Sequence, residues 1–286
     1  MECGALRRAH ERGEAVSDWN YMHAGSKDNL LRTVRREAAG FFELVSQPGV
    51  WEDPTAAGHW QVRDHVGHMI DTTEGYFVSF DAARGQGDPP ENLGVRHMAG
   101  YVDEGARRFR DMPREELLDR LQADFGKFQE TLAALTGEEW TGLIVPHKYM
   151  GPLPAGWYGI FQLVDYAIHS WDIRQGKGKG HGLDGDAADL LVPFALILWQ
   201  STAEVEPGTE PFDVGIRITG RNGGDTRGHV TTEGLALEPG PIDDVPLLLE
   251  FDPATFVLTA YGRFNGGTFR GDRSLSNRFL NLFYRI

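Results

Sequence analysis

At Glu206-Pro207-Gly208 the hydrophobic period of the chain changes from that of a helix to that of a strand, and this switch constrains the fold more than any other feature. Apolar residues recur every three to four positions before it, which predicts helices over Asn29–Ser46, Gln61–Ala83, Tyr101–Arg110, Arg114–Leu135, Trp157–Gln175 and Asp186–Glu204. The segment behind Pro113 is the clearest, with Leu117, Leu118, Leu121, Phe125, Phe128, Leu132 and Leu135 on one stripe. Helices of this length, joined by loops such as Gly85–Asn92 and Gly142–Gly156, read as an antiparallel bundle. Beyond residue 206, Val214, Ile216 and Ile218 alternate with Gly215, Arg217 and Thr219, the mark of a half-buried strand. Further strands are predicted near Gly228–Thr232, Leu235–Glu238, Pro246–Phe251 and Gly267–Arg270, with helices near Pro253–Tyr261 and Arg273–Phe283. The chain is therefore expected to be α+β, with an N-terminal extension over 1–27, a helical bundle over 28–206 and a small α+β domain over 207–286.

Charge and cysteine content narrow the chemistry. The 28 Lys and Arg against 42 Asp and Glu leave a net charge of −14, a surface that repels phosphate backbones, so no nucleic-acid partner is expected. The basic stretch Arg174–Lys179 is too short and too diluted with glycine to change that. One Cys in 286 residues excludes an internal disulfide framework and points to a reducing cytoplasm, and Cys3 sits in the expected extension, a poor place for a nucleophile. No window approaches the about 18 apolar residues of a membrane span, so no membrane partner is expected. Serine-hydrolase elbow, P-loop and zincin motifs are absent from the sequence.

Histidines carry more information. In Trp157–Ile173 nearly every direction around the helix is apolar or aromatic, apart from a narrow stripe of Gln162, Asp165, His169 and Asp172. A helix apolar almost all round is buried, and a buried carboxylate and imidazole must be paired or bound to a cation. Asp165 and His169, at i and i+4, can form a local hydrogen bond or hold one divalent ion, with a third ligand from a facing helix and a coordination position left open. Asp172, one turn on, suits receiving the ring N–H of the ligand histidine. The third ligand would come from Gln61–Ala83. Periodicity alone points to His65, which borders the apolar stripe, whereas His68 lies round the cylinder but shares a row with Thr72 and Gly75, residues small enough to leave a pocket above them.

The stretch Trp60-Gln61-Val62-Arg63-Asp64-His65-Val66-Gly67-His68 resembles the metal-ligand helix of the DinB-like superfamily, specifically its maleylpyruvate isomerase branch of mycothiol-dependent enzymes. Asp165-Tyr166-Ala167-Ile168-His169-Ser170-Trp171-Asp172 is similar to the second motif of that branch, and the region from Tyr261-Gly262-Arg263 to Phe283 is similar to its sterol-carrier-like C-terminal domain. The resemblance covers residues 28–286 and implies a four-helix bundle with a divalent metal, zinc or else nickel, on His68, Asp165 and His169. It thereby chooses His68 over His65. Asp165, with a shorter arm, stands where the best-known member carries Glu, and Asp occurs there in relatives. The implied chemistry joins a low-molecular-weight thiol, mycothiol, to a small-molecule electrophile, by thiol transfer or by cis–trans isomerisation. His147, in the Pro- and Gly-rich loop ahead of the second motif, and Arg263 are the candidate substrate contacts, with Asp172 and Thr72 at the cofactor. A lipid or small-molecule carrier and a metallohydrolase acting through bound water are the alternatives.

Overall fold

The computed structural model describes residues 18–179 and 181–284, and Cys3 lies outside them. The chain divides into two units, Met1–Leu183 and Asp184–Ile286.

In the first unit four long helices build the expected bundle: α1 (Lys27–Ser46), α2 (Val62–Ala83), α4 (Arg114–Ala134) and α6 (Trp157–Gly176), with the short α3 (Met98–Arg107) packed on α2. The stripe read from the sequence of α4 faces inward through Leu117, Leu121, Phe128 and Leu132. Fourteen of the 20 residues of α6 are buried, as its apolar circumference requires. Residues 18–26, assigned to the extension from sequence, belong to this unit: Tyr21 is fully buried and its carbonyl accepts the indole N–H of Trp140 at 3.0 Å.

The segment 142–156, expected to be a loop, contains a hairpin instead. Strands β1 (Ile144–His147) and β2 (Gly151–Pro154) pair antiparallel, and the short helix α5 (Gly137–Gly142) precedes them. Three prolines and three glycines in this stretch hide the strand pattern, yet Gly151, at φ +76, closes the turn in a left-handed conformation that costs glycine little.

The second unit carries a five-stranded sheet of β3 (Phe212–Ile218), β4 (Gly224–Thr231), β5 (Gly234–Pro239), β6 (Leu247–Phe251) and β7 (Thr268–Gly271), in the order β5-β4-β3-β6-β7. Only the β3–β6 pair is parallel. Helices α8 (Pro253–Ala260) and α9 (Arg273–Leu280) complete the predicted α+β pattern. The boundary expected at 206/207 lies earlier, because α7 (Gly185–Thr202) buries its apolar face within this second unit: Trp199 packs on Phe251, Phe256, Phe279 and Phe283 at centroid distances of 4.8–6.1 Å. The change of period at residue 206 marks the end of that helix rather than the start of the unit. No described helix is long and apolar enough to cross a membrane.

Candidate metal centre

The start of α2 sets the site. Asp64 accepts the Gln61 backbone N–H at 2.9 Å, which closes the first turn, and it is fully buried against Arg110, which reaches both carboxylate oxygens at 2.7 Å. Burial is the largest influence and would raise the Asp64 carboxyl, but the Arg110 hydrogen bonds, the Gln61 N–H and the Arg110 and Arg63 charges together outweigh it and hold the group below its ordinary range. The acidic residue of the first motif is thus structural: it fixes the register of α2 and joins it to the chain behind α3. Gly67 lets that contact close, since a Cβ there would stand 2.3 Å from the Ala106 carbonyl oxygen.

Between α2 and α6, His68, Asp165 and His169 each bring one ligand atom to within 4.8 Å of the others. His68 Nε2 lies 3.3 Å from Asp165 Oδ1. Two donors about 2.0–2.2 Å from a tetrahedral ion stand roughly 3.3–3.5 Å apart, so this spacing already suits a shared ion. The outer nitrogen of each ring is engaged: Thr72 Oγ1 meets His68 Nδ1 at 3.2 Å, and the buried Asp172 carboxylate accepts from His169 Nδ1 at 3.0 Å. That leaves Nε2 of both rings towards Asp165 and each other, and the Asp172 carboxylate, an acceptor only, fixes the His169 tautomer, while the Thr72 hydroxyl holds the His68 ring in place. Burial pushes the His169 imidazole down, against the pull of Asp172, and so favours the neutral form a metal requires. Thr72 therefore touches the ring behind the triad rather than opening a pocket, and Gly75 is exposed.

His65 is committed elsewhere. Thr55 Oγ1 donates to the Trp60 carbonyl at 2.9 Å and accepts from His65 Nε2 at 3.0 Å. A second grouping of His65, His169 and Asp172 also falls within 4.8 Å, but there His169 and Asp172 already bond to each other. Periodicity favoured His65 because it assumes one apolar face, whereas α2 is packed by α3, α4, β1 and α6, so His68 is buried too, at 7% exposure.

Trp60 completes the wall. Its ring lies 5.1, 5.4 and 5.8 Å from His65, His68 and His169, and its indole N–H donates to Asp103 at 2.9 Å. The loop that carries it crosses the end of α6 at Gly176, where a Cβ would meet the Pro54 carbonyl oxygen at 2.2 Å. The only sequence sign of this role was a tryptophan just ahead of the first turn of α2. His147 sits on the hairpin, its ring 4.8 Å from Phe161 of α6. Arg263 belongs to the second unit, where it donates to the Tyr261 carbonyl at 3.2 Å.

The chain resembles known proteins at two levels. Crystal structures of the mycothiol-dependent maleylpyruvate isomerase, and of a histidine-to-alanine variant of it, match with a TM-score of 0.58 at 12% identity, over 85% of this chain and 92% of theirs. A colibactin self-resistance protein in complex with double-stranded DNA matches over 54% of the chain at a TM-score of 0.45 and 16% identity. No curated protein matches the sequence significantly. The mycothiol maleylpyruvate isomerase N-terminal domain profile matches residues 31–174, half of the chain, and includes His68, Asp165 and His169. The chain therefore belongs to the mycothiol maleylpyruvate isomerase N-terminal domain family.

Proposed function

We propose that this protein is a divalent-metal-dependent enzyme of low-molecular-weight thiol chemistry, with His68, Asp165 and His169 as the metal ligands and mycothiol as the co-substrate. The observation that carries the reading is the triad itself: two imidazoles and a carboxylate on facing helices, each imidazole backed by its own partner, at a spacing that fits a shared ion. Two nitrogens and one oxygen suit zinc, with nickel as the second choice. A divalent ion held there supplies the Lewis acidity that takes the proton from an arriving thiol and leaves a nucleophile at neutral pH.

The chain's own residues supply the rest. Asp172 holds His169 in the tautomer that presents Nε2, Thr72 orients the His68 ring, and Trp60 packs beside both imidazoles. The small-molecule electrophile then meets the thiol with either isomerisation or thiol transfer as the outcome. The fold likeness to the maleylpyruvate isomerase supports the first, and Arg263 is a candidate contact for the electrophile.

The test is elemental analysis of unchelated protein together with turnover of maleylpyruvate and other α,β-unsaturated carbonyl compounds, with and without mycothiol. One ion per chain, and turnover that needs both ion and thiol, is the expected result. Turnover indifferent to thiol would point to the hydrolase instead, and protein free of metal would remove the assignment.

A further inference from the structure

The hairpin β1–β2 holds His147 in one tautomer. The backbone N–H groups of Tyr149 and Met150 both donate to His147 Nδ1, at 3.2 and 3.1 Å. A ring nitrogen that accepts from two donors carries no proton, so the neutral ring keeps its proton on Nε2. Burial pushes the imidazole down to about 4, against the opposing pull of the Asp165 charge, and the ring stays neutral through the physiological range.

Two helical rows connect this ring to the triad. On α6, Phe161 lies one turn before Asp165, about 6 Å along the axis, and packs on His147 at 4.8 Å. On α2, His68, Thr72 and Tyr76 share one row, and Tyr76 ends it 6.3 Å from His147. Trp60, His68, Tyr76, His147, Phe161 and His169 each keep 7–9% exposure, while Phe128, Tyr158 and Ile160 beside them keep none. Each of these side chains thus retains a small accessible area, His147 among them.

We propose that His147 Nε2–H is the oxyanion donor of the site, binding the carbonyl oxygen of an α,β-unsaturated carbonyl electrophile and holding the enolate that forms there. The inference rests on the thiol chemistry proposed above. The thiolate electron pair forms the C–S bond at the β-carbon, and the alkene pair moves through the α-carbon to leave an enolate on the carbonyl oxygen. The α–β bond, now single, rotates. The enolate pair then re-forms the alkene and expels the thiolate unchanged, with no proton taken up or released. A neutral imidazole N–H suits this sequence because it stabilises the enolate without surrendering its proton. An imidazolium would protonate the α-carbon and leave a stable thioether. His147 thus biases the site towards isomerisation over conjugate formation, and the flat faces of Phe161 and Tyr76 suit a planar conjugated substrate.

The test uses the full-length, metal-loaded protein with His147→Ala and His147→Gln, the latter keeping an N–H near the Nε2 position. Long-range proton–nitrogen NMR of labelled histidine should show the His147 ring as the Nε2–H tautomer, unchanged down to pH 5. Metal content should be the same in both variants. His147→Ala should lower kcat/KM for isomerisation by about 10²–10³, the usual effect of removing one oxyanion donor, while His147→Gln retains most of the rate. An Nδ1–H tautomer, an imidazole titrating near neutrality, His147→Ala at the wild-type rate or without its metal, or His147→Gln as impaired as His147→Ala would each overturn the assignment. Wild-type turnover indifferent to thiol would instead sink the reading beneath it, and the NMR result stands apart from that.

Discussion

Replacing Asp172 by alanine removes the acceptor that holds His169 with its Nε2 towards the triad. The carboxylate is fully buried and its bond to His169 Nδ1 is 3.0 Å long. A buried hydrogen bond to a charged group is worth about 1.5–3 kcal/mol. Part of that is already present in the metal-free protein, so its loss should weaken metal binding by roughly 10–100-fold, the range seen when the partner behind a ligand histidine is removed. Asp172→Asn keeps an acceptor without the charge and should fall at the mild end of that range. Competition against a chelator of known affinity measures both variants, and a thermal melt in excess metal shows whether each is folded. A folded Asp172→Ala protein that binds zinc as tightly as wild type would refute the reasoning, because the His169 tautomer would then not depend on this carboxylate.

His68→Ala should lose the metal while His65→Ala, whose Nε2 is committed to Thr55, keeps most of it; the reverse, by elemental analysis, would move the site to the second grouping. Arg110→Ala leaves the buried Asp64 charge without its bidentate partner, and since Arg110 is 31% exposed the cost should be about 2–3 kcal/mol, less than for a fully buried pair, read as a lowered denaturant midpoint. Stability should fall as the pH drops from about 6.5 towards 4. The unfolded chain protonates His147 in that window and the folded one does not, so the unfolded state binds more protons there, a loss of about 2 kcal/mol between pH 7 and 5 that His147→Gln should abolish in melts at those two values. Gly67→Ala should drive α3 away from α2, because its Cβ would meet backbone rather than a movable side chain, and a circular-dichroism melt unchanged from wild type would contradict that packing.

Much of this protein is decided by local pattern. The 3.6-residue period fixed the four long helices of the bundle to within a few residues, because their apolar stripes have no other way to be buried. The alternation from Val214 onward did the same for the sheet. The polar stripe of Asp165, His169 and Asp172 was legible for a related reason: charge on a helix apolar all round has to be partnered. Tertiary structure decided what depends on neighbours distant in sequence. His68 rather than His65 faces Asp165 because α2 is enclosed on several sides, and no single-stripe argument can see that. Helix α7 packs in the second unit because Trp199 finds its aromatic partners beyond residue 250. The hairpin stayed hidden because prolines and glycines blur alternation, and with it the tautomer of His147, which two backbone N–H groups impose only once the turn has closed. Residue types and periods set which groups must be buried; which nitrogen of which ring meets which oxygen is a property of the folded chain, because donors and acceptors are paired by distance in space and not along the sequence.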